Sequence, residues 1–308
     1  MQSYLKNFSD KFVQMQFDLR VNVAHGDLFE FDKFEVVKQI NSTRNFFSRE
    51  PVVFIADPFL FVHQDELYLF YEKQTEIHGL GIIKMRKTRD LKAWTPPKIV
   101  LKEKFHLSYP YVFSFDGQIY MMPETHQDKS LKLYIPNNDL TKWKPHKTLL
   151  SGEDYVDSAI IFHQGRYYLF TTIYNDEKNV LLLFHAENIN GEWTEHPQSP
   201  LKSDINDCRC AGSPFHHNGK LYRPCQRYDN KYGDGVDIYQ IIQLSSEEYL
   251  EEKILNVIPN SENFYSIGGH HFNPCRFKGK QLVATDALTQ RVNFHEVMRR
   301  IRNKFVKR

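Results

Sequence analysis

The chain reads as an all-β protein, a five-bladed β-propeller with four-stranded antiparallel blades. Three observations predict it. A unit recurs five times, in the segments 56–70, 109–122, 157–170, 213–223 and 273–283. A tight turn falls at the same place inside each unit. A tryptophan then echoes at a matching distance in three of them. Units of this length, each with several short strands, are the arithmetic of propellers.

The units align on Pro58, Pro110, Ser158, Pro214 and Pro274, separated by 52, 48, 56 and 60 residues. Each anchor opens a short apolar strand. The turn follows at Gln64-Asp65, Asp116-Gly117, Gln164-Gly165, Asn218-Gly219 and Lys278-Gly279. Gly, Asn and Asp suit the left-handed backbone that a two-residue hairpin requires. A second strand rich in Tyr and Leu comes next. Trp94, Trp143 and Trp193 lie 36, 33 and 35 residues after their anchors. Each marks the turn into an outer fourth strand and is expected to pack between neighbouring blades.

Such blades cannot bury both faces alone, so they stack around an axis. The expected organisation is residues 1–50 as an N-terminal segment, 51–290 as the propeller and 291–308 as a basic tail or helix. The strand-like stretches 17–23 and 34–37 are candidates to close the ring, since closure removes exposed sheet edges. A β-sandwich with irregular hairpins is the alternative architecture.

Composition narrows the function. Of 308 residues, 24 are Phe, 17 Tyr and 3 Trp, a content that suits strands and also sugar faces. A formal net charge of +2 gives no case for bulk nucleic-acid affinity. Arg291, Arg299, Arg300, Arg302, Lys304, Lys307 and Arg308 stand against the single Glu296, as a solvated tail or an anion-facing patch. Cys208, Cys210, Cys225 and Cys275 lack zinc-knuckle spacing and read as reduced structural thiols. With no signal peptide and no long apolar run, a cytoplasmic protein without integral membrane association is expected. Phosphate-loop, dinucleotide, zinc-protease and serine-hydrolase signatures do not occur, and no cofactor is expected.

In a propeller the first strand of each blade lines the axis. Asp57, Tyr109, Asp157, Ser213 and Asn273 head those strands, with Glu124, Arg223, Arg227, His270 and His271 nearby. Titratable groups converging on one cavity make a candidate site. Two carboxyls can cleave a glycosidic bond, one activating water and one protonating the leaving oxygen. Asp57 is read as the base, Asp157 as a supporting carboxylate and Glu124 as the acid, with Glu72 in the matching place one blade earlier. Tyr109, Arg223, Arg227, His270, His271 and Asn273 are read as substrate-binding. The arginines can instead neutralise the two aspartates. Adjacent strand residues face opposite ways, so at most one of the two histidines should enter the funnel. No metal is assigned, although a divalent ion held by one histidine with Asp57 and Asp157 is an alternative.

With Ala56, Asp57 and Pro58 heading the first blade, the chain resembles the five-bladed glycoside hydrolase superfamily that includes families 43, 32 and 62. That resemblance implies Asp57 as catalytic base and Asp157 as the carboxylate that modulates pKa. The superfamily's acid, a Glu opening the fourth blade, is replaced by Ala211, Gly212, Ser213 and Pro214. A closer resemblance, on residues 55–60, 109–112 and 122–125, is to the propeller-like N-terminal region of glucosamine inositolphosphorylceramide transferases. The expectation is a glycoside hydrolase-like enzyme with a carbohydrate substrate. The alternatives are a non-catalytic glycan-binding module, or a transferase acting on an activated or lipid-linked sugar, with a polysaccharide-assembly protein as partner.

Overall fold

The computed structural model describes residues 13–42, 52–75, 79–137, 139–175, 178–258 and 264–292. Of the basic tail or helix expected at 291–308, the first two residues end a β-strand, and residues 293–308 lie outside the described ones, as do residues 1–12. Strands β1 (Val13–Ala24) and β2 (Phe34–Ile40) come first. The first repeat unit gives β3 (Val52–His63), β4 (Glu66–Thr75), β5 (Gly81–Thr88) and β6 (Lys98–Leu101). The second gives β7 (Ser108–Phe115), β8 (Gln118–Glu124), β9 (Ser130–Pro136) and β10 (Trp143–Ser151). The third gives β11 (Val156–His163), β12 (Arg166–Asn175) and β13 (Lys178–Ala186), with the short β14 (Thr194–Glu195) and β15 (Lys202–Asp204) both on β13. The fourth is β16 (Phe215–His217), β17 (Lys220–Arg227), β18 (Gly235–Leu244) and β19 (Tyr249–Ile258), and the fifth opens with β20 (Phe272–Phe277) and β21 (Lys280–Val292).

These strands make five antiparallel sheets, the blades of a propeller. The last is ordered β2-β1-β21-β20, so both parts of the chain build it. β1 runs along the whole of β21, from Val13 opposite Val292 to Ala24 opposite Gln281. The ring is closed by two strands from the N-terminal segment. The outer strand of the third blade is broken between β14 and β15, where Pro197 and Pro200 cannot donate to a ladder.

The hairpins follow from their turn residues. At all five turns both central residues have positive φ, from 47° to 82°. That is the twist of a type I′ turn, which matches the right-handed twist of its strands. The tryptophans do what their spacing predicts: the ring nitrogens of Trp94, Trp143 and Trp193 donate to the carbonyls of Leu91, Leu140 and Ile189. Trp143 also meets Phe70 of the preceding blade edge to face, with 6.0 Å between ring centres.

The core is a set of inter-blade layers. Tyr111, Ile160 and Leu169 pack between the second and third blades, and Phe215, Val236, Phe272 and Val283 between the fourth and fifth. Inner strands are also stitched by polar contacts. The Asn273 carboxamide accepts from Leu60 N at 2.9 Å and donates to Ser213 Oγ at 3.2 Å, tying the first, fourth and fifth blades. No helix among the described residues is long and apolar enough to cross a membrane.

Candidate active site in the axial cavity

The inner strands of the first three blades carry the same defect. Each ladder is irregular where Asp57, Tyr109 and Asp157 stand, between the paired residues Ala56 and Phe59, Ser108 and Tyr111, and Val156 and Ala159. Those three residues have φ of 53°, 47° and 46°. A side chain in this region costs about 1–2 kcal/mol, less for Asp than for Tyr. The bulge also frees a backbone N–H from the ladder.

Carboxylates of the preceding blades take up these N–H groups. Asp57 Oδ2 accepts from Tyr109 N at 3.0 Å, Glu124 Oε2 from Asp157 N at 3.2 Å, and Asp286 Oδ2 receives Asp57 N at 3.5 Å. Strain and satisfaction are thus coupled: the bend exposes a donor, and an acid from the previous blade answers it. The result gathers acids at the axis.

A cavity of about 240 Å³ opens there. Asp57, Glu72, Glu124 and Asp157 line it with Arg209, His106, Gln74, Ser108 and Tyr232. All four carboxyl residues are at least nine-tenths buried. Arg209 Nε lies 2.5 Å from Asp157 Oδ2, and its Nη2 lies 3.8 Å from Glu124 Oε2. Gln226 Nε2 donates to Asp157 Oδ2 at 2.7 Å. Glu124 Oε1 meets His126 Nδ1 at 2.7 Å. His106 Nδ1 accepts from Gly81 N at 2.9 Å, which leaves its proton on Nε2, 3.2 Å from Glu72 Oε1.

The environments push these carboxyls apart. Burial, joined by Glu72, Asp157 and Asp286, raises Asp57 well above the usual carboxylate range, with His270 pulling against it. Burial and Glu124 raise Glu72 despite the contact from His106. Burial also lifts Asp157 to about 6, against the Arg209 guanidinium and reinforced by Glu124. Glu124 goes the other way. Burial would raise it, but His126, Arg209 and the Asp157 N–H outweigh burial and hold it below its ordinary value.

Beside Asp57 the His270 ring is fully buried, stacked on Phe17 with 4.1 Å between centres. Its Nδ1 stands 2.7 Å from Asp286 Oδ2 and 3.8 Å from Asp57 Oδ1. Against the cost of burial, Asp286 and then Asp57 and Asp157 raise its pKa to about 9, whereas burial drives His271 down to about 3. Asp57, His270 and Asp286 offer three ligand atoms within 4.8 Å of one another, a set able to hold a cation. Asp286, not Asp157, completes that set.

Several residues read as substrate-binding lie elsewhere. Arg223 is fully buried in a two-pronged pair with Glu251, at 2.9 and 2.6 Å, and Arg227 pairs with Asp229 and Asp237. Strand parity explains both. Gln226 of β17 faces the axis, so residues 223 and 227 face away. Tyr109 has its hydroxyl accepting from Gly212 N at 2.7 Å and its ring against Phe59, a strut between blades. Asn273 is the inter-blade clasp already described. His270 and His271 both stand within 3.9 Å of Asp57 Oδ1, because they precede β20 and escape its alternation.

Gln74 on β4 and Ser108 on β7 line the cavity without having been singled out in the sequence, and so do Arg209, His106 and Tyr232. These last three sit on connecting segments. Arg209 had one usable signal, a lone charge between Cys208 and Cys210 just before the fourth anchor.

Comparison with known proteins fits this architecture. Residues 39–285 match the family described as glucosamine inositolphosphorylceramide transferase 1, N-terminal. The chain is similar to glucosamine inositolphosphorylceramide transferase 1 of Arabidopsis thaliana, 35% identical over 263 residues, which is 80% of this chain and 34% of that protein. The protein of the same name from Oryza sativa subsp. japonica is 38% identical over 208 residues, 65% of this chain and 28% of the relative. The chain therefore spans about a third of the length of these curated relatives. Among solved structures, an alpha-L-arabinofuranosidase from Clostridium thermocellum superposes with a TM-score of 0.55 at 15% identity, covering 74% of this chain and 80% of that one. That likeness is one of fold.

Proposed function

The chain belongs to the family of the glucosamine inositolphosphorylceramide transferase 1 N-terminal region, and from that premise we propose that its axial cavity binds a sugar and moves protons at one of its oxygens. One observation carries the reading: four buried carboxyls and one arginine share a cavity of about 240 Å³ and are pushed to opposite protonation tendencies. Asp57 and Glu72 are held toward the protonated form beside a Glu124 held ionised, so one site keeps proton donors and a fixed negative charge together.

The roles follow from contacts. Asp57 Oδ2 is taken up by the Tyr109 N–H, whereas Oδ1 stands 3.8 and 3.9 Å from the Nδ1 atoms of His270 and His271, beyond hydrogen-bond distance, and is the oxygen placed to meet a ligand hydroxyl. The raised pKa of Asp57 makes it the strong proton acceptor of the set once ionised. Glu72, raised and backed by the Nε2–H of His106, is better suited than Glu124 to donate a proton. Glu124 stays ionised and, with Arg209, holds Asp157 in place.

Two reactions fit this machinery. Hydrolysis would pass the proton from water to Asp57. Sugar transfer, favoured by the names of the relatives, would take it from an acceptor hydroxyl. An excess of carboxyls over cations also favours a substrate bearing an amine, as a glucosamine unit does. The test pairs aryl furanosides and pyranosides with sugar transfer to an inositol phosphate acceptor, running Asp57→Asn in parallel. Release or transfer lost in the variant supports the reading. Turnover unchanged by Asp57→Asn, or glycosides that neither bind nor react, would overturn it.

A further inference from the structure

Tyr232 stands apart from the rest of the cavity wall. Its neighbours there are charged or polar, yet it offers a broad apolar ring and leaves 44% of its surface exposed. Leaving such a ring in water at a polar mouth forgoes on the order of 1 kcal/mol of burial. It is nevertheless fixed in place. The ring meets His270 edge on at 5.0 Å and Tyr228 at 5.7 Å between centres, and Arg209 Cζ lies 5.8 Å from its centre.

The loop that carries it is built to hold it. Asp234 Oδ2 accepts the backbone N–H groups of Asn230 and Lys231, the latter at 2.9 Å. Gly233 follows with φ of 77°, and a Cβ there would come within 2.8 Å of the Phe17 ring. A Cβ on Gly268 would come within 2.3 Å of Gly233 O, so the loop is clamped against the segment leading to His270. A ring held this way loses little freedom when a ligand lands on it.

We propose that Tyr232 is the stacking platform of the cavity, receiving the C–H face of a pyranose whose hydroxyl edge turns toward Asp57 and Glu72. The inference rests on the sugar-binding reading above and adds the subsite that orients the ring. A sugar needs both surfaces, an apolar plate for its axial hydrogens and acceptors for its hydroxyls. Tyr232 and the carboxyls supply them on one cavity. Arg209, near the platform and bonded to Asp157, ties the two parts together.

The test is ligand-observed saturation-transfer NMR with methyl glycosides of glucose, glucosamine and N-acetylglucosamine. It is run on the unchanged protein, Tyr232→Ala, Tyr232→Phe and Asp57→Asn, each checked for cooperative melting well above the temperature of the measurement. The expected result is binding by the unchanged protein, a loss of about tenfold or more in Tyr232→Ala, and recovery to within about threefold in Tyr232→Phe, because the ring and not the hydroxyl does the stacking. Saturation should enter through the sugar C–H protons of one face. Binding weakened by Asp57→Asn but untouched by Tyr232→Ala would overturn the platform and leave the sugar reading standing. No binding of any glycoside would overturn both. Tyr232-dependent binding of tetramethylammonium without binding of neutral glucosides would overturn the platform in favour of a cation cage.

Discussion

Glu124 Oε2 accepts the backbone N–H of Asp157 at 3.2 Å, so the second blade holds the head of the third. The same carboxylate raises the pKa of the residue it positions, and Arg209 sits between them to limit the effect. Glu124→Gln should keep the hydrogen bond through its amide oxygen while removing the charge. Asp157 should then titrate below its present value of about 6, read by carboxyl-carbon NMR. Glu124→Ala removes the acceptor as well, and a buried N–H without a partner costs about 1–3 kcal/mol. Chemical denaturation would show that loss, and an Asp157 pKa unmoved in Glu124→Gln would refute the coupling.

Asp57 sets stability against the site it serves. Its folded pKa is raised, so the fold binds a proton more tightly than the unfolded chain does. Stability then falls as pH rises from the unfolded carboxylate range through the folded pKa. Asp57→Asn removes that titration, tolerates φ of 53° and keeps an acceptor for Tyr109 N. It should be more stable than the unchanged protein at pH 8, by roughly 0.5–2 kcal/mol, while losing activity. At pH 4 the two should nearly coincide. Asp57→Ala should be less stable than Asp57→Asn by about 1–3 kcal/mol, since it loses the acceptor and sits in strained backbone.

Ring closure makes a topological prediction. β1 buries Phe17, Leu19, Val21 and Val23 and covers the whole edge of β21. At about 1.5–3 kcal/mol each, those side chains amount to at least about 6 kcal/mol, a large part of a domain's stability. A chain starting at Val52 should therefore aggregate or fail to fold. A circular permutant that starts between β2 and β3, with the original ends joined by a linker, should fold with the same melting cooperativity. A soluble, cooperatively melting truncation would show that the last blade stands on two strands.

How far the fold was legible depended on which residues are constrained locally. The hairpins were readable at Asn218-Gly219 or Asp116-Gly117, because left-handed backbone restricts residue choice there. Asp57 and Asp157 were readable for a different reason, their place at the head of repeated units. Arg223 and Arg227 misled because their face depends on the parity of β17, which the positions of two arginines do not reveal. Arg209 and Tyr232 enter the cavity from connecting segments, whose course is set by tertiary packing such as Gly233 against Phe17. Repetition thus disclosed the scaffold and its acids, and left the cation and the aromatic wall hidden.

The His270–Asp286 contact should give the protein an alkaline limit. His270 is raised to about 9 in the fold from an ordinary value of 6.5, with Nδ1 2.7 Å from Asp286 Oδ2. A raised histidine stabilises the fold fully below the unfolded value, and the contribution disappears as pH rises through the folded one. Stability should therefore decline between about pH 6.5 and pH 9, by about 3 kcal/mol for this group. Denaturation midpoints across that range would record the decline, and imidazole NMR would assign it to His270. Asp286→Asn should flatten the profile and return the histidine toward or below neutrality, since burial then acts without its largest counterweight. Loss of the imidazolium would also remove the charge that draws Asp57 toward ionisation, so Asp57 should titrate still higher in that variant. A histidine signal that stays near 6.5 in the unchanged protein would mean that Asp286 does not hold the proton, and that the acid at the base of the cavity answers only to its carboxyl neighbours.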